Sequence, residues 1–200
     1  QFYVTPYVRT IGQSSASIAF DNLKVVNKPK QDKDDTNTGF AVAQRDYNFS
    51  GFTGDAYVVT FPNTNRKFVF WSETNFIPFW QIDNSTLFVY GHGESWDSTL
   101  QGCFEPMSDR NLRWSEVEIL EDNAVRKVLK WSYVLHNPDY KVLGDNGGGQ
   151  LPLCEEYFTF YPDGSGTRRI IYKPKLDSYW DDWHELGEYI TITNSTGKPI

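Results

Sequence analysis

The chain has 200 residues and a formal net charge of −7, with a sequence pI near 4.9. That balance excludes a nucleic-acid protein built on a basic stripe and disfavours anionic membranes, while local Arg and Lys clusters leave an anionic polysaccharide open. The length suffices for one β-sandwich with a real core, and no run of about 18 apolar residues is present to span a membrane as a helix.

The first 26 residues read as terminal strands of a preceding or shared sandwich: Phe2-Tyr3-Val4, Tyr7-Val8-Arg9 and Ser17–Val26, separated by Gly12-Gln13-Ser14-Ser15. Residues 27–39 read as a linker or exposed loop, since residues 27–38 hold no hydrophobic side chain. Asp32, Asp34 and Asp35 in that stretch allow a structural calcium, but the central Gly and twelfth-position Glu of an EF-hand are missing. No other cofactor is expected.

Residues 40–200 read as a β-sandwich domain, expected to continue beyond the chain. Ala56–Phe61 passes through Pro62-Asn63-Thr64-Asn65 into Lys67–Trp71, and Ile77–Ile82 and Thr86–Tyr90 follow. Further on, Trp114–Leu120 turns at Glu121-Asp122-Asn123 into Val125–Leu135, and Glu188–Thr193 forms the last strand. The alternation is period two, with no helix and no repeat of fixed length. The expected fold is all-β: an antiparallel β-sandwich of the concanavalin-like jelly-roll or galactose-mutarotase-like supersandwich kind.

Four segments concentrate chemistry. Gly91-His92-Gly93-Glu94-Ser95-Trp96-Asp97 places a histidine between two glycines, expected on a loop. His92 is either the general acid or base or a histidine bonded to backbone, and Trp96 is a subsite wall. Gly102-Cys103-Phe104-Glu105-Pro106-Met107-Ser108-Asp109-Arg110 offers Glu105 to a ligand. There, Arg110 either forks onto a sugar carboxylate or pairs with Asp109 to support a loop.

The third segment, Cys154–Tyr172, is a hairpin turning at Asp163-Gly164-Ser165-Gly166. Glu155, Tyr157 and Thr159 share one face, and Glu156, Phe158 and Phe160 the other. Tyr157 is a candidate proton donor and Arg168 a candidate charge neutraliser. Glu156, a carboxylate on an apolar face, sits at a sheet edge or has a raised pKa. The fourth segment, Tyr179–Glu185, supplies Trp180, Trp183 and His184 as a sugar-stacking rim. No spacing marks a metal site; one would need His92, His136 or His184 to converge with carboxylates. Cys103 and Cys154 are the only cysteines and form either a disulfide or two free thiols.

Four stretches carry a family resemblance: Lys67–Trp80, Gly102–Arg110, Glu155–Gly164 and His184–Glu188. Over about residues 55–200 they resemble large secreted β-sandwich proteins of polysaccharide-degrading systems, similar to the ulvan-type polysaccharide lyases and their relatives. Cys103-Phe104-Glu105-Pro106-Met107-Ser108-Asp109 is the most specific piece. The resemblance implies a polysaccharide or oligosaccharide ligand, a secreted, periplasmic or cell-surface setting, and further domains on a longer chain. It carries no catalytic assignment.

The expected function is a carbohydrate-active domain of a lyase that cleaves an acidic polysaccharide by β-elimination, with His92 as base, Tyr157 as acid, and Arg110 or Arg168 neutralising the uronate. The alternative is a non-catalytic carbohydrate-binding or scaffold module.

Overall fold

A computed structural model describes residues 16–20, 39–89, 91–97, 102–143, 151, 153–173, 183–186 and 191–193. The expected strands at residues 2–9, the linker 27–38 with its acidic stretch, and Trp180 fall outside them.

The chain is an all-β antiparallel sandwich. Its strands are β1 (Ala16–Phe20), β2 (Ala41–Phe49), β3 (Phe52–Thr60), β4 (Lys67–Trp71), β5 (Phe79–Gln81), β6 (Thr86–Val89), β7 (His92–Asp97), β8 (Gly102–Phe104), β9 (Glu116–Asp122), β10 (Lys127–Val134), β11 (Leu153–Phe160), β12 (Gly166–Lys173), β13 (Trp183–Leu186) and β14 (Thr191–Thr193). One sheet runs β1-β12-β11-β10-β9 and a second β14-β6-β5-β4-β3-β2; a small third sheet runs β13-β7-β8. Every strand pair among the described residues is antiparallel. Among the same residues, no helix is long and apolar enough to cross a membrane.

The β11–β12 hairpin forms where the sequence placed it. Gly164 takes a φ of +82° and the Asp163 carboxylate accepts from the Ser165 backbone N–H at 2.9 Å. The β2–β3 hairpin reverses through Ser50 and Gly51, both at positive φ, the conformation a two-residue turn needs to match strand twist.

The period-two alternation decides what faces inward. Leu129, Trp131 and Tyr133 of β10, Phe158 and Phe160 of β11, and Ile170 and Tyr172 of β12 form one core with Val59, Phe68, Phe70 and Trp80 of the six-stranded sheet. Phe68 sits amid this layer, its ring 4.7 to 5.4 Å from those of Phe70, Trp80, Phe158 and Phe160. The six-stranded sheet is buried on its other face as well, through Tyr47, Ala56, Val58, Val69, Trp71, Phe79 and Leu87. The unbroken apolar run Phe68-Val69-Phe70-Trp71 is therefore what a strand covered on both sides requires.

One expectation about the small sheet is corrected. His92 opens strand β7 instead of lying on a loop, and it is buried. Trp183 and His184, expected as part of a sugar-stacking rim, lie on strand β13, paired to β7. Both segments are too short and too polar to carry a clear strand signal. Pairing with neighbours, not alternation, makes them strands.

Candidate functional site

Pairing of β7 and β8 builds the site. Alternation sets His92, Glu94 and Trp96 on one face of β7, and Trp96 lies opposite Cys103 of β8. Two residues past Cys103, Glu105 continues on the same side, its backbone N–H donating to the His136 carbonyl at 3.0 Å.

These residues converge on one point. His92 Nε2 lies 3.7 Å from Glu94 Oε2 and 3.9 Å from Glu105 Oε2. One ligand atom from each of the three lies within 4.8 Å of the others. The imidazole is 2% exposed and neither ring nitrogen has a hydrogen-bond partner, so its contacts with the carboxylates are at ion-pair distance only. Burial opposes its protonation. The carboxylates of Glu105 and Glu94, with Glu156 behind them, outweigh burial and lift the pKa above the ordinary histidine value. The Cys103 thiol lies 3.9 Å from Glu105 Oε2. Burial and the same two carboxylates push it up to about 12, so it stays protonated at neutral pH.

Behind the face lies a second buried network. The Gly93 backbone N–H donates to Tyr133 Oη at 2.7 Å, and that hydroxyl donates to Glu156 Oε1 at 2.7 Å. Arg168 Nε donates to Glu156 Oε2 at 2.5 Å. Tyr133, wholly buried beside Cys154 and Glu156, has a pKa well above the usual phenol value and works here as a neutral donor. The chain Arg168–Glu156–Tyr133–Gly93 thus fixes the start of β7 to the inner face of the large sheet.

The candidates named from the sequence separate into groups. His92 and Glu105 come together. Glu94 joins them; no motif singles it out, although its place two residues after His92 in a strand puts both on one face. The backbone register sets His184 directly across from Glu94. Trp96 shares the strand face and is 49% exposed. Trp183 stands across from Ser95, a register position on the other face of this sheet. Arg110 is exposed on the loop after Glu105.

Arg168, expected to neutralise a uronate, is 3% exposed and ion-paired to Glu156, which is itself wholly buried. The arginine is occupied by the hairpin's own carboxylate and is out of reach of a substrate. Glu156 is likewise not at a sheet edge; it lies in β11 between β10 and β12. Tyr157 points from the opposite face of β11 and its hydroxyl contacts Glu155 Oε2 at 3.5 Å. The sheet stands between it and the network that holds His92, so the two cannot act on one sugar ring as a base–acid pair. Asp109 accepts three backbone N–H bonds, from Arg113, Trp114 and Ser115. It shapes the loop and makes no pair with Arg110 there. Cys103 and Cys154 are free thiols.

Comparison with protein-family models, with curated proteins and with solved structures returned no match. The functional reading therefore rests on the residues themselves.

Proposed function

We propose that this chain is a carbohydrate-active β-sandwich domain that engages a polysaccharide on the β7–β8 face. The observation that carries the reading is Trp96, a half-exposed indole on the strand face that also bears His92 and Glu94. An exposed indole offers flat apolar area to the C–H face of a sugar, and nearby carboxylates accept its hydroxyls. Glu105, partly exposed at the rim, is the group best placed to do so. The resemblance to secreted ulvan-type lyases supports a polysaccharide partner, a secreted or periplasmic setting, and neighbouring domains on a longer chain.

Between the two forms of this reading, the binding module is favoured over β-elimination. The base–acid pair expected for elimination does not assemble, because Tyr157 faces away; of the two arginines expected as neutraliser, Arg168 is held by Glu156 and Arg110 stays exposed.

Affinity electrophoresis on acidic and neutral polysaccharides tests the proposal, with ultraviolet absorbance of unsaturated uronates as the parallel readout. Retarded migration, abolished by Trp96→Ala and accompanied by no unsaturated product, is the expected result. Product release would restore the lyase reading, and unretarded migration in every gel would refute a carbohydrate role.

A further inference from the structure

The His92–Glu94–Glu105 cluster makes sense as a cation site. Two carboxylates meet one imidazole in a setting that is nine-tenths or more closed for His92, and both imidazole nitrogens lack a hydrogen-bond partner. A buried polar group without a partner is costly, and native proteins rarely leave one so. Tyr133 does not relieve it, because its hydroxyl is engaged with Gly93 and Glu156. We propose that His92 Nε2, Glu94 and Glu105 form a binding site for a divalent transition metal of the zinc class.

The geometry is close to what coordination needs. Two ligands about 2.1 Å from a tetrahedral zinc lie roughly 3.4 Å apart. The separations of 3.7 and 3.9 Å from the imidazole nitrogen exceed this by a few tenths of an ångström, and the three ligand atoms together lie within 4.8 Å, so rotation of the Glu side chains would have to close the set. The donor set also selects the ion. Calcium and magnesium take all-oxygen shells, whereas imidazole with carboxylates suits zinc and its first-row neighbours. Three protein ligands leave a fourth position for water or a ligand atom, the arrangement of an open rather than a closed zinc site. Glu105 sits at the rim, with its side chain 21% exposed, and gives the ion its route in. The site shares Glu105 with the carbohydrate reading, but zinc uptake is measured without sugar, so either can fail while the other holds.

The test is calorimetric titration of the chelator-treated chain with zinc chloride, with calcium and magnesium chloride as controls. One zinc per chain is expected, with no heat from calcium or magnesium at the same concentrations. Cobalt(II) should give the visible absorption of a low-symmetry tetrahedral or five-coordinate complex. Binding of zinc to the folded state alone should also raise the melting temperature as its concentration rises. Glu105→Gln, which keeps size and sits at the rim, should weaken zinc by more than about 100-fold while leaving the far-ultraviolet spectrum unchanged. His92→Ala should abolish binding; if it does not fold, Glu105→Gln and Glu94→Gln decide the question alone. No zinc uptake by the wild-type chain, or unchanged affinity in Glu105→Gln, overturns the proposal.

Discussion

Arg168 and Glu156 form a closed ion pair inside the sandwich, Nε to Oε2 at 2.5 Å, with both side chains sealed from solvent. The pair is diagonal across β11 and β12, and Tyr133 completes it from β10. Removing one partner of such a pair strands a charge in a low-dielectric interior. Arg168→Met should cost about 3–5 kcal/mol, because Glu156 is left facing Tyr133 alone. The double variant Arg168→Met/Glu156→Leu should recover a large part of that loss. Urea unfolding of wild type, the two single variants and the double variant in a double-mutant cycle measures it; a loss in the double variant equal to the sum of the two single losses would show that the pair carries no coupling.

Phe68 marks the centre of the packing between the two large sheets, touching rings from both. Phe68→Ala should destabilise by about 3–5 kcal/mol through lost burial and the cavity left behind. Phe52, at the β2–β3 turn and 63% exposed, should change stability by less than about 0.5 kcal/mol when replaced by Ala. Thermal melts of both variants check the contrast.

The sandwich is legible in the sequence because its strands announce themselves locally. Burial alternates without a break from Glu155 to Phe160, with Glu156 the one residue whose polarity departs from the pattern, and Asp163-Gly164 supplies the turn. Strand β4 is legible for the opposite reason, an apolar run that only a doubly covered strand can hold. The site is legible only in part. His92 and Glu105 stand out by chemistry, but nothing local reveals that β7 pairs with β8, and that pairing is what joins them. Arg168 misleads because an arginine on a hairpin looks available for a ligand. Its capture by Glu156 depends on which face each strand buries, and the two residues become partners only once β11 and β12 are in register. Asp109 beside Arg110 looks like an ion pair in sequence, whereas backbone N–H groups of the following turn claim the carboxylate first.

The turn between β5 and β6 should make a small, pH-dependent contribution. Burial alone would raise the Asp83 pKa, but the hydrogen bonds donated by Ser85 and Thr86 outweigh it and hold the carboxyl below its ordinary value. A depressed folded-state pKa means stabilisation that is complete above the unfolded value, about 4, and lost as pH falls through the folded value. Asp83 is only partly buried, so solvent screening keeps the effect under about 1 kcal/mol. Asp83→Ala should therefore lower stability at neutral pH, and the gap to wild type should narrow in acid. A gap that widens below about pH 4 would contradict this sign.

Asp109 and Arg110 should respond in opposite ways to substitution. The Asp109 carboxylate, almost fully buried, holds the N–H groups of Arg113, Trp114 and Ser115 at 2.9, 2.8 and 3.2 Å. That turn presents the Ser115 hydroxyl, which accepts from Trp131 Nε1 and donates to the Asn75 carbonyl, both at 2.8 Å. Loss of the carboxylate leaves buried N–H groups without acceptors and loosens the seat of a core indole. Asp109→Ala should cost about 2–3 kcal/mol, read by urea unfolding. Arg110→Ala, at an exposed position, should leave stability within about 0.5 kcal/mol of wild type. If polysaccharide binding falls in Arg110→Ala while its unfolding curve stays put, the arginine serves the ligand. An equal loss of stability in both variants would instead mean that Arg110 supports the same loop as its neighbour.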